Sequence, residues 1–211
     1  MTLIFVLLIS IAALSQDEGD VYDNGPTNGT VDAWTINFGF VVSDTFTLQN
    51  VQTVVGLNFA AWLFPGDVLE SAEVSITSSE FGGTTFFDSN VNFTTSNCRT
   101  NQFGFSVCDE TGSFGPVNLN GGTYWLNVQN AVVPSGNQVY WDENSGPSLA
   151  SQNSVGTIPS ESFTVIGSCV VGRDTPGCGP PPPPTTPEPD TFLLFGSGLV
   201  AVLGAGRRLV R

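Results

Sequence analysis

The sequence predicts an all-β fold, a single antiparallel β-sandwich of jelly-roll type, and three observations carry that prediction. Apolar residues recur at every second position along several runs, glycine- and proline-rich turns separate the runs, and no interior stretch shows a helical period. A strand with one face in a core and one in water buries alternate side chains, so this pattern suits a sandwich of short strands.

Taken in order, the first run is Trp34, Ile36, Phe38, Phe40 and Val42, read as one half-buried strand with Trp34, Ile36, Phe38 and Phe40 assigned to the core. Val55, Leu57, Phe59, Ala61 and Leu63 repeat the pattern. So do Ala72, Val74 and Ile76, then Tyr124, Leu126 and Val128, and the last strand is Ser162 to Ile166. Pro65-Gly66-Asp67, Gly82-Gly83, Gly121-Gly122 and Pro134-Ser135-Gly136 are among the turn signals between them. The domain is expected over 16–167, long enough for a proper core. A stalk over 168–186 follows, with proline from Pro180 to Pro184 to hold it extended.

The two ends read as targeting segments. Leu3 to Leu14 is apolar apart from Ser10 and gives way to Ala13-Leu14-Ser15, the shape of a signal helix over 1–15. At the other end Phe192 to Gly206 is apolar or small, and Arg207, Arg208 and Arg211 follow as a cytoplasmic basic stop. Fifteen residues reach about 22 Å as a helix against a hydrocarbon layer of about 30 Å, so this is a short transmembrane helix. Basic flanks stay inside, which leaves everything before Asp190 outside.

Immediately before the span stand Pro187, Glu188 and Pro189. A Pro-Glu-Pro triplet, a Leu/Phe/Gly-rich apolar stretch and terminal arginines, in that order over residues 187–211, resemble the PEP-CTERM sorting tail of Gram-negative bacteria. The resemblance implies an exported protein held transiently in the inner membrane and processed by an exosortase. Its partners would be the exosortase, the export machinery and extracellular polysaccharide, and its destination the cell surface or extracellular matrix. Tyr22 to Pro26, Asp32 to Asn37, Trp62 to Asp67, Gly122 to Leu126 and Tyr140 to Pro147 are similar to blocks of PEP-CTERM ectodomains, and no biochemical activity comes with that likeness.

Charge narrows the partners. The net charge is −14, and ahead of the C-terminal arginines the acids face only Arg99 and Arg173. Such a surface is a poor partner for nucleic acid, and membrane contact is expected through the C-terminal helix alone. The four cysteines form two close pairs, so Cys98 with Cys108 and Cys169 with Cys178 is the simplest of three disulfide pairings in an oxidising compartment, and no zinc-type spacing competes.

Histidine and lysine are absent from the chain, so nucleophiles activated by either cannot be assembled and no catalytic residue is assigned. A glycosidase would need two facing carboxylates, and the adjacent Asp142 and Glu143 point to opposite faces if extended. No metal ligand set and no cofactor are assigned. Calcium is the one weak candidate, since Asp17, Glu18, Asp20 and Asp23 cluster early and the turn with Asp23, Asn24 and Asp32 offers oxygens. A glycan platform is the other candidate. Trp125, Asn127 and Gln129 share one face of a predicted strand, and Tyr140, Trp141, Asp142 and Glu143 extend it if their strand lies alongside. The leading expectation is a non-enzymatic surface or matrix protein, with a carbohydrate-binding module and a glycosidase as alternatives.

Overall fold

The computed structural model describes residues 17–169. The expected signal helix, the stalk beyond 169, the sorting tail with its helix and the Cys169–Cys178 pairing lie outside them. The described residues form twelve strands and no helix. These are β1 (Asp17–Asp23), β2 (Ala33–Thr35), β3 (Val41–Leu48), β4 (Gln52–Leu63), β5 (Ser71–Ser79) and β6 (Gly82–Thr100). After them come β7 (Ser106–Leu119), β8 (Gly122–Val132), β9 (Tyr140–Asp142), β10 (Ala150–Gln152), β11 (Gly156–Ile158) and β12 (Phe163–Cys169).

All pairings are antiparallel, in the order β1-β12-β4-β7-β6-β5-β8-β3-β10-β11, with β9 bridging β4 and β2. The long β6 turns the corner: its first half pairs with β5 and its second with β7, so one sheet curls into two layers. The principal strands then stand as β1-β12-β4-β7 in one layer and β3-β8-β5-β6 in the other. Neighbours that skip across the chain in this interleaved way are the double Greek key of a jelly roll.

The core lies between the layers. Phe46, Leu48, Leu57, Phe59, Leu63, Ile76, Leu126 and Phe163 are all but fully buried, and Trp141 is wholly so. Trp141 packs edge-on to Phe59 and Phe163 with ring centroids 5.6 Å apart in both pairs, and its indole N–H donates to the Ser162 carbonyl at 2.9 Å. Each large side chain closed off in this way is worth about 2 to 3 kcal/mol of transfer free energy.

Two expected runs are broken. The stretch from Trp34 to Val42 is not one strand: β2 ends at Thr35, Phe40 N–H bonds the Asn37 carbonyl at 3.1 Å, and Phe38 turns out into solvent with φ 56° and 64% exposure. Ile36 and Val42 stay in the core. In β4 the register shifts between Val54 and Gly56 against β7, so Val54 rather than Val55 joins Leu57 inward.

Cys98 and Cys108 form the expected disulfide, linking β6 to β7. On β6 the two residues Asn97 and Cys98 oppose the single Cys108 between the pairs Ser96–Asp109 and Arg99–Val107. Asn97 has φ 51°. That bulge re-aims the backbone at the position of the cross-link.

Candidate functional site

The polar residues of the separate sequence blocks meet at one end of the sandwich. β9 brings Asp142 to the outer side of its layer, where the carboxylate is wholly buried. It accepts from Asn28 N–H at 2.7 Å, Gly29 N–H at 2.8 Å and the Trp62 indole N–H at 2.6 Å. These bonds pin the loop after β1 onto β4. Burial raises the Asp142 carboxyl above the usual range and the three donors oppose the rise.

On the inner side, Asn24 is fully buried and ties both layers together. Its amide nitrogen faces Glu161 O at 2.6 Å, Ser148 Oγ and Ser160 Oγ at 2.7 Å each, and Asp44 Oδ2 at 3.4 Å. Two amide hydrogens serve four acceptors, so the bonds are shared. The Tyr22 hydroxyl donates to Asn24 Oδ1 at 2.8 Å, and burial beside Asp44 pushes that phenol up to about 12. Asn144 donates to the Asn24 carbonyl at 2.9 Å and accepts from Gly146 N–H at 2.9 Å. A Cβ on Gly146 would stand 2.2 Å from that same carbonyl oxygen, so only glycine fits.

Asp44 and Glu161 are the acids of this interior. Asp44 occupies an inward position of β3 between Val42 and Phe46, and burial lifts its carboxyl to about 6. Hydrogen bonds from Ser148, Glu161 N–H and Thr45 N–H oppose that rise. Glu161 is fully buried, and neither carboxyl oxygen has a hydrogen-bond partner. Its carboxyl is pushed well above the usual range, first by burial and then by the charges of Asp44, Glu143, Asp142 and Asp32. Glu143 stands directly across from it in an isolated antiparallel bridge and accepts from the Trp34 indole N–H at 3.2 Å. Asp142 and Glu143 do point to opposite faces. A further interior acid, Glu110 on β7, accepts from the Thr95 hydroxyl at 2.7 Å and is raised to about 7, chiefly by burial.

The expected glycan face is altered. Trp125, Asn127 and Gln129 do share the outer side of β8, but Asn127 is only 3% exposed. It accepts from Ser43 Oγ at 2.6 Å and Phe81 N–H at 3.2 Å, and it donates to Thr77 Oγ1 at 2.9 Å and Ser75 Oγ at 3.2 Å. Gln129 donates to Glu73 at 2.8 Å. The fold uses these amides, and Trp125 beside them is half-buried. Tyr140 to Glu143 do not extend the platform, because β9 pairs with β4 and β2 in the other layer and Trp141 is core. A different aromatic hollow, of 190 Å³, is lined by Asp32, Ala33, Trp62, Phe105 and Tyr140.

The expected calcium turn is partly drawn into the fold. Asn24 is consumed as above, Asp23 accepts from Gly25 N–H at 2.8 Å, and Asp32 from its neighbour Ala33 N–H at 2.8 Å. Among the described residues no three Asp, Glu, His or Cys side chains converge as a metal-binding group. Sequence reading missed Asp44, Glu110 and Glu161. A signal existed for the first, an acid at the inward step of an otherwise apolar alternation.

Fold and site together define an all-β sandwich protein, acidic outside and knit by a buried polar cluster at one end. The family model of the PEP-CTERM protein-sorting motif matches residues 185–208, which include Pro187, Glu188 and Pro189 and the arginines Arg207 and Arg208. The chain is therefore a PEP-CTERM domain-containing protein, marked for export and for processing by an exosortase. No curated protein matches it.

Proposed function

We propose that this chain is a non-enzymatic component of the bacterial surface or extracellular matrix, released from its membrane tail by an exosortase and associated with extracellular polysaccharide. The observation that carries the reading is the sorting motif at 185–208, placed after a disulfide-bonded β-sandwich of strongly acidic composition. Two facts support the absence of catalysis. No histidine or lysine exists to activate a nucleophile, and the facing acids Glu143 and Glu161 include one closed off from any substrate. The aromatic hollow beside Asp32 supports contact with a neutral sugar ring, since the negative surface disfavours acidic glycans.

Replacing Pro187, Glu188 and Pro189 by alanine should leave an unprocessed, membrane-retained species, whereas the native chain should reach the medium without residues after the triplet. Intact-mass measurement of the secreted and membrane fractions decides this. Secreted protein still carrying Phe192 to Arg211 would overturn the sorting assignment.

A further inference from the structure

The Glu143–Glu161 pair sets two acids face to face, a geometry that needs a neutralising partner when both are ionised. Asn144 N–H bonds Ser160 O at 2.7 Å and Ser162 N–H bonds Asp142 O at 2.8 Å, so the ladder hydrogen bonds flank the two glutamates. They therefore form a non-hydrogen-bonded pair, the register in which opposed side chains approach most closely. Like charges directly opposite in this way are destabilising. Glu161 makes the conflict severe, being wholly buried with two oxygens that no donor reaches. Arg99 is the one cationic side chain among the described residues, and its field acts on Asp142.

We infer that Glu143 and Glu161 bind a calcium ion between the two layers of the sandwich. Glu161 offers both its orphan oxygens, and Glu143 offers the oxygen not bonded to Trp34. Half-buried Glu143 is the point of entry from solvent. The nearby Asp44 and Asp142 contribute field and not ligation, because their oxygens are taken by N–H donors. An all-oxygen set with no His and no free thiol gives no preference for zinc or copper, and calcium tolerates an irregular shell of about six to eight oxygens, completed here by backbone carbonyls and water, where magnesium demands near-ideal octahedral geometry. Two carboxylates place the dissociation constant at about 10⁻⁴ to 10⁻³ M, the range of extracellular modules.

The test uses the full chain in detergent, stripped with EDTA. Addition of 10 mM calcium chloride, about ten times the upper dissociation constant, should raise the melting midpoint by about 3 °C. Terbium should give emission sensitised by Trp34, displaced by calcium. Glu161→Gln should abolish both effects. Should that variant fail to fold, Glu143→Gln, at a half-exposed position, decides in its place. A native chain indifferent to calcium would overturn the inference. So would calcium and terbium responses unchanged in the variants, which would place the ions on the acidic surface. A calcium-independent rise in melting midpoint for Glu161→Gln, in a native chain that ignores calcium, would assign the neutralisation to a proton.

Discussion

Phe38 is a bulky residue at φ 56°, in the left-handed region that L side chains other than Asn and Asp seldom enter, and its ring is 64% exposed. Backbone of this kind costs on the order of 1 kcal/mol or more, while a glycine there would give back part of that gain as extra freedom in the unfolded chain. Phe38→Gly should accordingly be neutral to stabilising, within about 1 kcal/mol. Phe46, by contrast, is 1% exposed between Tyr22 at 6.0 Å and Tyr124 at 5.6 Å. Phe46→Ala should cost about 3 to 5 kcal/mol through lost transfer energy and the cavity left behind. Urea denaturation of both variants measures the contrast. A loss for Phe38→Gly as large as that for Phe46→Ala would return Phe38 to the core.

At the scale of elements, the disulfide and the bulge act on one hairpin. Cys98 and Cys108 close a loop with a sequence separation of 10, which constrains the unfolded chain by about 3 kcal/mol on the chain-entropy account. The loop carries Phe103 and Phe105, which pack on Trp62 at centroid distances of 5.8 Å each. Reduction should therefore expose amides of 98–108 to hydrogen exchange first, while β4 and β8 keep their protection. Simultaneous loss of protection everywhere would mean that the bridge holds the whole sandwich. The strands themselves were legible because alternation reports burial directly: Leu57 to Leu63 and Tyr124 to Val128 point inward as their periods require. Phe38 and Val55 were misplaced because a left-handed turn and a bulge each reset the phase, and neither Asn37-Phe38-Gly39 nor Val54-Val55-Gly56 announces this in its side chains. The acidic cluster was harder to see. Asp44 meets the Glu161 N–H across 117 residues, a neighbourhood that exists only once β3 and the approach to β12 lie in facing layers. Of the sites, only the sorting motif is local in sequence, and it was legible for that reason.

The whole molecule combines a net charge of −14 with carboxyls that folding holds protonated above their ordinary range, and both properties give its stability the same pH dependence. Glu110 isolates one share of it. Wholly buried on β7, with one oxygen lacking any partner, its carboxyl rises from an ordinary 4.5 to about 7. The folded state then binds the proton more tightly than the unfolded chain, so this stabilisation is complete below pH 4.5 and is lost as pH rises through about 7. The swing is at most about 3 kcal/mol. Self-repulsion grows over the same interval as the remaining acids ionise. The native domain should thus unfold at lower urea at pH 8 than at pH 5, and Glu110→Gln, which keeps the shape and cannot ionise, should flatten the part of that slope between pH 5 and 7. Denaturation midpoints of both proteins across pH 5 to 8, in EDTA to exclude bound cations, provide the measurement. Equal slopes in the two would show that Glu110 ionises as freely inside the sandwich as in the unfolded chain.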